Sequence, residues 1–243
     1  MSLRALRVVC AVAVTGGAAV AGAAEPARPA STPPARAPQT QVLTYEVGGA
    51  RRQAVVFVPS KPGPKPLVLL FDPNGNAQGA VNTWMPAANR AGWVVASTPQ
   101  VRNGTSDADD AREMLGLLVA LKQLLPVDGR RIYTGGSSGG GCGAYLLALT
   151  RSDVFAGAFV QVAHMGSWRE HRLASRISRF DQGYYLFTRS NDFNRQAMRQ
   201  LASALESARL EVTLVEQPGG HQGMTAEEVA AALDWMQRHP ARQ

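Results

Sequence analysis

Short apolar runs without polar interruption alternate with longer amphipathic stretches along most of this chain. The clearest run, residues 67–71, reads Leu-Val-Leu-Leu-Phe and precedes a loop rich in Asn and Gly and then a helical pattern. Such a run is typical of a strand that is buried on both faces, as strands of a parallel sheet are. The repeated order of strand and helix therefore predicts an α/β fold, in which helices cover both faces of a mostly parallel sheet.

Periodicity predicts about eight strands in this sheet. The first two are joined at Gly48-Gly49, a hairpin signal. Only about 20 residues separate the sixth and seventh strands, which predicts an open site without a large lid. The predicted strands cover residues 41–47, 52–58, 67–71, 93–97, 131–134, 157–162, 184–188 and 211–215. The predicted helices cover residues 80–90, 107–125, 138–150, 167–180, 193–208 and 225–238.

The N-terminus has the layout of a secretory signal peptide. Arg4 and Arg7 precede an apolar stretch over residues 8–20, which ends in small Ala and Gly residues. This pattern predicts a leader over residues 1–24, so that the mature protein would be secreted or periplasmic. Residues 25–40 contain five Pro and almost no large apolar side chain, as in a semi-rigid linker. The catalytic domain is then expected over residues 41–243.

Charge and hydropathy exclude two classes of partner. The formal net charge of +7 falls to +5 when Arg4 and Arg7 leave with the leader, and the remaining basic residues form no block. Without such a block or an aromatic platform, we expect no nucleic-acid partner. No apolar run after residue 30 reaches the roughly 18 residues of a membrane span, so we expect no stable membrane insertion after signal cleavage.

The glycine-rich segment after the fifth strand is the strongest catalytic signal. Residues 135–141 read Gly-Gly-Ser-Ser-Gly-Gly-Gly, which places G-x-S-x-G between a strand and a helix, as in a nucleophile elbow. Two registers fit, one centred on Ser137 and the other on Ser138. Because the strand is predicted to end at Thr134, the register of Ser137 is favoured. A phosphate-binding loop is one alternative, but it would need a following Lys that is absent here. A merely flexible glycine loop is the other alternative.

Residues 133–140, Tyr-Thr-Gly-Gly-Ser-Ser-Gly-Gly, resemble the elbow of the α/β-hydrolases. The likeness is strongest to small secreted esterases of the polyhydroxybutyrate depolymerase and feruloyl esterase group, and it extends over about residues 41–238. It implies that Ser137 is the nucleophile and that an Asp or Glu and then a His follow in the chain. It also implies hydrolysis of a small-molecule or polymeric ester without a metal or cofactor.

The order that the resemblance implies leaves two candidates for the catalytic base. His239 lies in a tail beyond the last predicted helix, whereas His221 lies on a glycine-rich loop after the last predicted strand. His221 therefore resembles the family's base. A surface histidine without a catalytic role is the alternative.

Asp192 resembles the family's acid, because it follows the seventh predicted strand. It is the only carboxylate between Asp181 and Glu206. Its alternative role is to cap the helix that is predicted to begin near Phe193, since Asp is a preferred N-cap residue. Asn191 offers a second cap for that helix.

The tetrahedral intermediate of such an enzyme needs two backbone N–H donors. One is expected from Ser138, the residue after the predicted nucleophile. The other is expected from Asn74 or Gly75, in the loop after the third strand, and the sequence does not choose between them. Many relatives have His-Gly at this loop, whereas this chain has Asp72-Pro73, and Pro73 lacks an N–H.

Two weaker features complete the sequence prediction. His164 and Met165 follow the sixth strand and are expected to line the substrate pocket, although a packed histidine without a catalytic role is the alternative. Residues 72–76 resemble the start of a calcium loop, but Ala77 and Thr83 replace its required Gly and Glu, so no metal is expected.

These observations together predict an exported serine hydrolase that cleaves carboxylic esters through an acyl-enzyme intermediate. A serine peptidase or acyltransferase on the same triad is one alternative. A catalytically silent α/β-hydrolase that serves as a binding protein is another, which the unusual Asp72-Pro73 loop keeps open.

Overall fold

The computed structural model describes residues 39–165 and 181–239. The predicted leader over residues 1–24 and the predicted helix over residues 167–180 lie outside these ranges. The same holds for the predicted linker, apart from residues 39 and 40, which belong to the first strand. The prediction that no large lid covers the site also concerns a segment outside the described residues.

One eight-stranded sheet runs through the described part of the chain, in the order β1-β2-β4-β3-β5-β6-β7-β8. The hairpin partners β1 and β2 are antiparallel, β2 is antiparallel to β4, and all other neighbours are parallel. This confirms the predicted fold class. The strands are β1 (Gln39–Val47), β2 (Ala50–Val58), β3 (Lys65–Phe71), β4 (Val94–Ser97), β5 (Val127–Ser137), β6 (Gly157–Gln161), β7 (Gly183–Arg189) and β8 (Glu211–Gln217).

Helices pack on both faces of the sheet, as predicted. Strand β3 shows why both faces need cover: Leu69 and Phe71 belong to one apolar cluster and Val68 and Leu70 to the other. The first cluster includes residues of α2, α3 and α4, and the second includes residues of α1 and α5. The helices are α1 (Ala77–Ala91), α2 (Asp107–Leu124), α3 (Gly139–Thr150), α4 (Arg195–Ser207) and α5 (Ala226–Gln237).

Strand β5 is longer than predicted, and this difference moves the turn at the elbow by one residue. The sequence suggested an end at Thr134, because glycine disfavours strands. In the structure the pairing continues through the glycines: Gly136 pairs with Phe71 of β3, and Ser137 pairs with Gln161 of β6. The turn therefore begins after Ser137.

The parallel strands bring their carboxyl ends to one edge of the sheet, where ligands of α/β proteins usually bind. The segments that follow β3, β5, β6, β7 and β8 all begin at this edge. Within the described ranges, no helix has both the length and the hydropathy to cross a membrane.

Candidate active site

Ser138, not Ser137, occupies the tip of the turn between β5 and α3. Its φ of 53° and ψ of −126° are strained for a residue with a side chain. This is the backbone that a nucleophile elbow requires. Ser137, the predicted nucleophile, is instead the last residue of β5, in regular pairing with Gln161.

The glycines around the turn fit the register of Ser138 for a steric reason. A Cβ on Gly136 would lie 2.5 Å from the carbonyl oxygen of Gly140, and one on Gly140 would lie 2.4 Å from that of Phe71. Both are backbone atoms that cannot move aside. A Cβ on Gly135 would meet only side chains, the nearest atom at 3.0 Å. The glycines two residues either side of Ser138 are thus the ones that the turn requires.

Three polar side chains form a continuous hydrogen-bonded chain at this edge of the sheet. His221 Nε2 lies 3.0 Å from Ser138 Oγ, and His221 Nδ1 lies 2.7 Å from Asp192 Oδ2. The Asp192 side chain is fully buried, whereas that of His221 is 29% exposed. A carboxylate can only accept, so Nδ1 carries the ring proton and Nε2 accepts from the Ser138 hydroxyl. The structure therefore brings His221 and Asp192, two of the predicted triad residues, together with Ser138, the neighbour of the predicted Ser137.

Asp192 also organises the turn after β7. Its Oδ1 accepts a hydrogen bond from the backbone N–H of Asn194 at 2.5 Å, while Oδ2 remains with His221. Helix α4 begins at Arg195, with Asn194 at its N-cap, so Asp192 is not the N-cap. Asn194 Nδ2 in turn donates to the carbonyl oxygen of Val162, just after β6, at 2.9 Å. These bonds fix the carboxylate before any substrate binds.

The backbone N–H of Ser138, which was predicted as an oxyanion donor, already has a partner: it donates to the carbonyl oxygen of Gln161 at 2.9 Å. Gly139 is the first residue of α3, and the first N–H groups of a helix have no partner within the helix. The N–H of Gly139 directly follows the strained serine.

Asn74 and Gly75 do not offer the expected second donor. The N–H of Asn74 donates to Asp72 Oδ1 at 2.9 Å, and the N–H of Gly75 donates to the Asp72 carbonyl oxygen at 3.1 Å. Asp72 Oδ1 also accepts from the N–H of Asn76 at 2.8 Å. Asp side chains form such turns readily. In this turn the N–H groups of Asn74 and Gly75 are already bonded to Asp72.

Asn103 is a neighbour of the elbow that the sequence did not reveal. Its side-chain oxygen lies 2.0 Å from the position that a Cβ on Gly139 would take, so the carboxamide fills the space of the missing side chain. The backbone N–H of Asn103 donates to the carbonyl oxygen of Pro73 at 2.9 Å, which joins its loop to the loop after β3. Asn103 belongs to the segment after β4, far in the chain from the elbow, and no sequence motif marks it.

A cleft of about 260 Å³ lies beside the elbow. His164 lines it, together with Asn103, Gly139, Asp107 and Asp110. Met165 does not line this cleft. Its side chain packs against the apolar core, and its carbonyl oxygen accepts a hydrogen bond from the Tyr145 hydroxyl.

Cys142 lies one turn into α3 and is a buried free cysteine. Its thiol donates to the carbonyl oxygen of His164 at 3.2 Å. Burial raises the pKa of the Cys142 thiol to about 11. The thiol is therefore neutral at physiological pH, which makes it a poor nucleophile.

Within the described ranges, no cluster of three or more His, Cys, Asp or Glu side chains could hold a metal ion.

Two further residues contact the triad, and neither belongs to a recognisable motif. Phe193 stacks on the His221 ring with centroids 4.1 Å apart, although 76% of its surface is exposed. Gln161 is buried and connects two parts of the site: its backbone oxygen binds the N–H of Ser138, and its Oε1 accepts from the N–H of Met224 at 2.8 Å.

Comparisons with known proteins place this geometry in a structural class. No family model matches the sequence, and no curated protein matches it significantly. Many solved structures resemble the fold. FphF, a fluorophosphonate-binding serine hydrolase of Staphylococcus aureus, is similar with a TM-score of 0.68 at 17% identity, over 82% of this chain and 98% of that one.

Two further solved structures have a similar fold. The S-formylglutathione hydrolase FrmB of Staphylococcus aureus has a TM-score of 0.65 at 15% identity, over 85% of this chain and 99% of that one. A thermostable esterase of Pseudomonas putida has a TM-score of 0.65 at 14% identity, over 85% of this chain and 84% of that one. With its sheet order and its elbow, the chain has the α/β-hydrolase fold. The likeness to polyhydroxybutyrate depolymerases and feruloyl esterases remains a resemblance of sequence.

Proposed function

We propose that this chain is an exported serine hydrolase that cleaves carboxylic esters, with Ser138 as nucleophile, His221 as general base and acid, and Asp192 as the residue that orients His221. The hydrogen-bonded chain from Ser138 Oγ through His221 to the buried Asp192 carboxylate carries this proposal. A serine hydroxyl becomes a useful nucleophile only when a neighbouring base accepts its proton. The strained backbone of Ser138 and the two glycines that flank its turn support the same assignment.

The reaction follows from these positions. His221 Nε2 takes the hydroxyl proton while Ser138 Oγ attacks the ester carbonyl carbon, and a tetrahedral oxyanion forms. The intermediate collapses as the bond to the alcohol oxygen breaks, and the imidazolium donates its proton to the leaving alcohol. Water then attacks the acyl-enzyme in the same way and releases the acid and the free serine. Asp192 holds the tautomer and stabilises the imidazolium in both steps.

The oxyanion is stabilised by the backbone N–H of Gly139 and by the side chain of Asn103. Oxyanion holes commonly combine a backbone donor with a side-chain amide. The Asn103 carboxamide fills the space beside Gly139, and a half-turn of this group exchanges its oxygen and nitrogen. This second donor replaces those predicted at Asn74 and Gly75, which are bonded to Asp72.

The substrate class is proposed from the similar structures, which include enzymes named as serine hydrolases and esterases. A small-molecule or polymeric carboxylic ester is therefore the expected substrate. The burial and raised pKa of Cys142 support serine, not cysteine, as the nucleophile.

Export is proposed from the sequence of the leader alone. The mature chain is expected to begin near Ala24 or Glu25, after the Ala-rich end of the apolar stretch. N-terminal sequencing of the exported fraction tests this expectation. A chain that still begins with Met1 in that fraction would contradict it.

The test of the proposed activity is hydrolysis of p-nitrophenyl esters by the wild type and by two adjacent variants. Ser138→Ala should lower kcat by about 10⁶-fold, as loss of a triad serine can. Ser137→Ala is the matched control, and its kcat should stay within about threefold of the wild type, a difference of under 1 kcal/mol. Hydrolysis of peptide anilides in preference to esters would instead favour a peptidase, and activity on neither would favour a silent binding protein.

A further inference from the structure

Arg189 is the last residue of β7, and its guanidinium lies buried beneath the loop that carries His221. Only 8% of its side chain is exposed. A buried arginine needs partners for its five N–H groups. Glu228 provides a bidentate ion pair, with Nη1 and Nη2 of Arg189 at 2.9 and 2.7 Å from its carboxylate oxygens.

The remaining donors of Arg189 bind the loop on both sides of His221. Nη1 donates to the carbonyl oxygen of Pro218 at 3.2 Å, and Nη2 donates to that of Gly223 at 3.0 Å. Nε makes a longer contact, 3.5 Å, with the carbonyl oxygen of Gln222. One planar group thus ties together both ends of the segment that carries the base.

The bonds to Arg189 are not the only ties of this loop, since the N–H of Gln222 donates to the carbonyl oxygen of Gly220 at 2.9 Å and that of Met224 donates to Gln161 Oε1 at 2.8 Å. The loop connects β8, which ends at Gln217, to α5, which begins at Ala226, and it contains Gly219, Gly220 and Gly223. Glycines leave the backbone many conformations to lose. Gly219 has a φ of 131°, and a Cβ on it would lie 3.0 Å from Arg189 Cδ, so the loop passes closely over the arginine.

Arg189 also connects the base to the acid. Its backbone carbonyl oxygen accepts a hydrogen bond from the N–H of Asp192 at 3.1 Å, in the turn that positions the carboxylate. Glu228 extends the network into α5, because its side chain also accepts from the N–H of Thr225 in a capping box at 2.7 Å. Arg189 therefore joins the turn of Asp192 to the loop of His221, beside the bond from the N–H of Asn191 to the carbonyl oxygen of Gly219 at 2.9 Å.

We propose that Arg189 is a positioning residue that holds the His221 loop at the distance from Asp192 and Ser138 that catalysis needs. This inference rests on the proposed hydrolase function, because it assigns how that triad is maintained. Arg189 acts through the loop and does not touch the reacting atoms. Its planar guanidinium donates at once to the Glu228 carboxylate and to the carbonyl oxygens of Pro218 and Gly223. A lysine ammonium lacks this planar arrangement of donors.

The test compares kcat and KM of the double variant Arg189→Met/Glu228→Gln with those of the wild type. The concentration of active sites in each preparation is determined by titration. Replacing both residues avoids a buried carboxylate without a partner. We expect kcat to fall by about 10- to 100-fold with KM within about threefold, because misplacement of a catalytic group slows chemistry more than it weakens binding. Arg189→Lys should restore only part of the rate.

The matched control is Arg52→Met/Glu113→Gln, which removes a partly buried ion pair with an N–O distance of 3.0 Å between β2 and α2, near the opposite edge of the sheet. Its kcat should stay within about twofold of the wild type, under 1 kcal/mol, even where its Tm falls as far as that of the Arg189 double variant. An Arg189 double variant with the kcat of the wild type would overturn the inference. If that variant does not fold, the single variants Arg189→Lys and Glu228→Gln decide, since wild-type kcat in both would also overturn it.

The two proposals fail in different ways. A folded wild type without esterase activity would overturn the proposed function and this inference together. An active wild type whose Arg189 variants are equally active would overturn the inference alone.

Discussion

Replacing Gly136 by Ala should damage the elbow, whereas the same change at Gly135 should be tolerated. The new Cβ at position 136 would lie 2.5 Å from the carbonyl oxygen of Gly140 and 2.7 Å from that of Phe71, both backbone atoms. A Cβ at position 135 would meet only side-chain atoms. It would lie 3.0 Å from Leu70 Cδ2, and 3.4 Å from Phe159 Cβ and Val68 Cγ2. The two substitutions add the same methyl group to adjacent residues of β5, so they form a matched pair.

The magnitude follows from what must move. Overpacking costs about 1–3 kcal/mol, and rigid backbone neighbours place Gly136→Ala at the upper end, about 3 kcal/mol. In a domain of about 200 residues this lowers Tm by about 6–12 °C. A shift of the Ser138 backbone should also lower kcat by about 10²-fold. Gly135→Ala should cost about 1 kcal/mol or less, since a side chain can adjust.

Thermal unfolding and p-nitrophenyl ester hydrolysis measure both effects. If Gly135→Ala were the damaging change and Gly136→Ala the harmless one, the glycines would serve a turn centred on Ser137, and the steric reasoning here would be wrong.

Three other substitutions and one labelling experiment test separate parts of the site. Asp192→Asn should lower kcat by about 10⁴-fold because the amide favours the wrong tautomer of His221, and a rate within tenfold of the wild type would contradict that role. Asn103→Ala should lower kcat by about 10²- to 10³-fold if its carboxamide stabilises the oxyanion, and an unchanged kcat would remove it from the oxyanion hole. Phe193→Ala removes a stacked ring worth about 0.5–1.5 kcal/mol, so kcat/KM should fall by about 2- to 10-fold in ester assays. Cys142, with a pKa raised to about 11, should resist iodoacetamide at pH 8 in native protein and react after unfolding; rapid native alkylation would contradict its burial.

The fold could be predicted from sequence because its signals are local. Apolar runs such as that of β3 mark buried strands wherever they occur, and all eight strands are present with shifted ends. His221 and Asp192 were predicted because the resemblance to the α/β-hydrolases implies an acid and then a base after the elbow, and the structure brings both to the edge of the sheet where parallel strands end.

The register of the elbow could not be predicted, because it depends on where β5 stops pairing. Glycines suggest a strand end, yet β3 and β6 on either side keep Gly136 and Ser137 in the sheet. Tertiary pairing overrode local propensity here. The same error of one residue displaced the predicted oxyanion donor from Gly139 to Ser138.

The supporting residues were missed for a different reason. Arg189, Gln161 and Asn103 act through contacts between segments far apart in the chain, and an arginine-rich composition made any single arginine uninformative. The donors of Asn74 and Gly75 were lost to Asp72, whose ability to close a turn on its own loop is visible in sequence as an Asp followed by Pro, Asn and Gly.

Reaction with a fluorophosphonate followed by peptide mapping tests the central claim most directly. A single adduct is expected on Ser138, which persists in Ser137→Ala and disappears in Ser138→Ala, because the Ser138 hydroxyl lies 3.0 Å from His221 Nε2. An adduct on Ser137, or no adduct on folded protein, would contradict it.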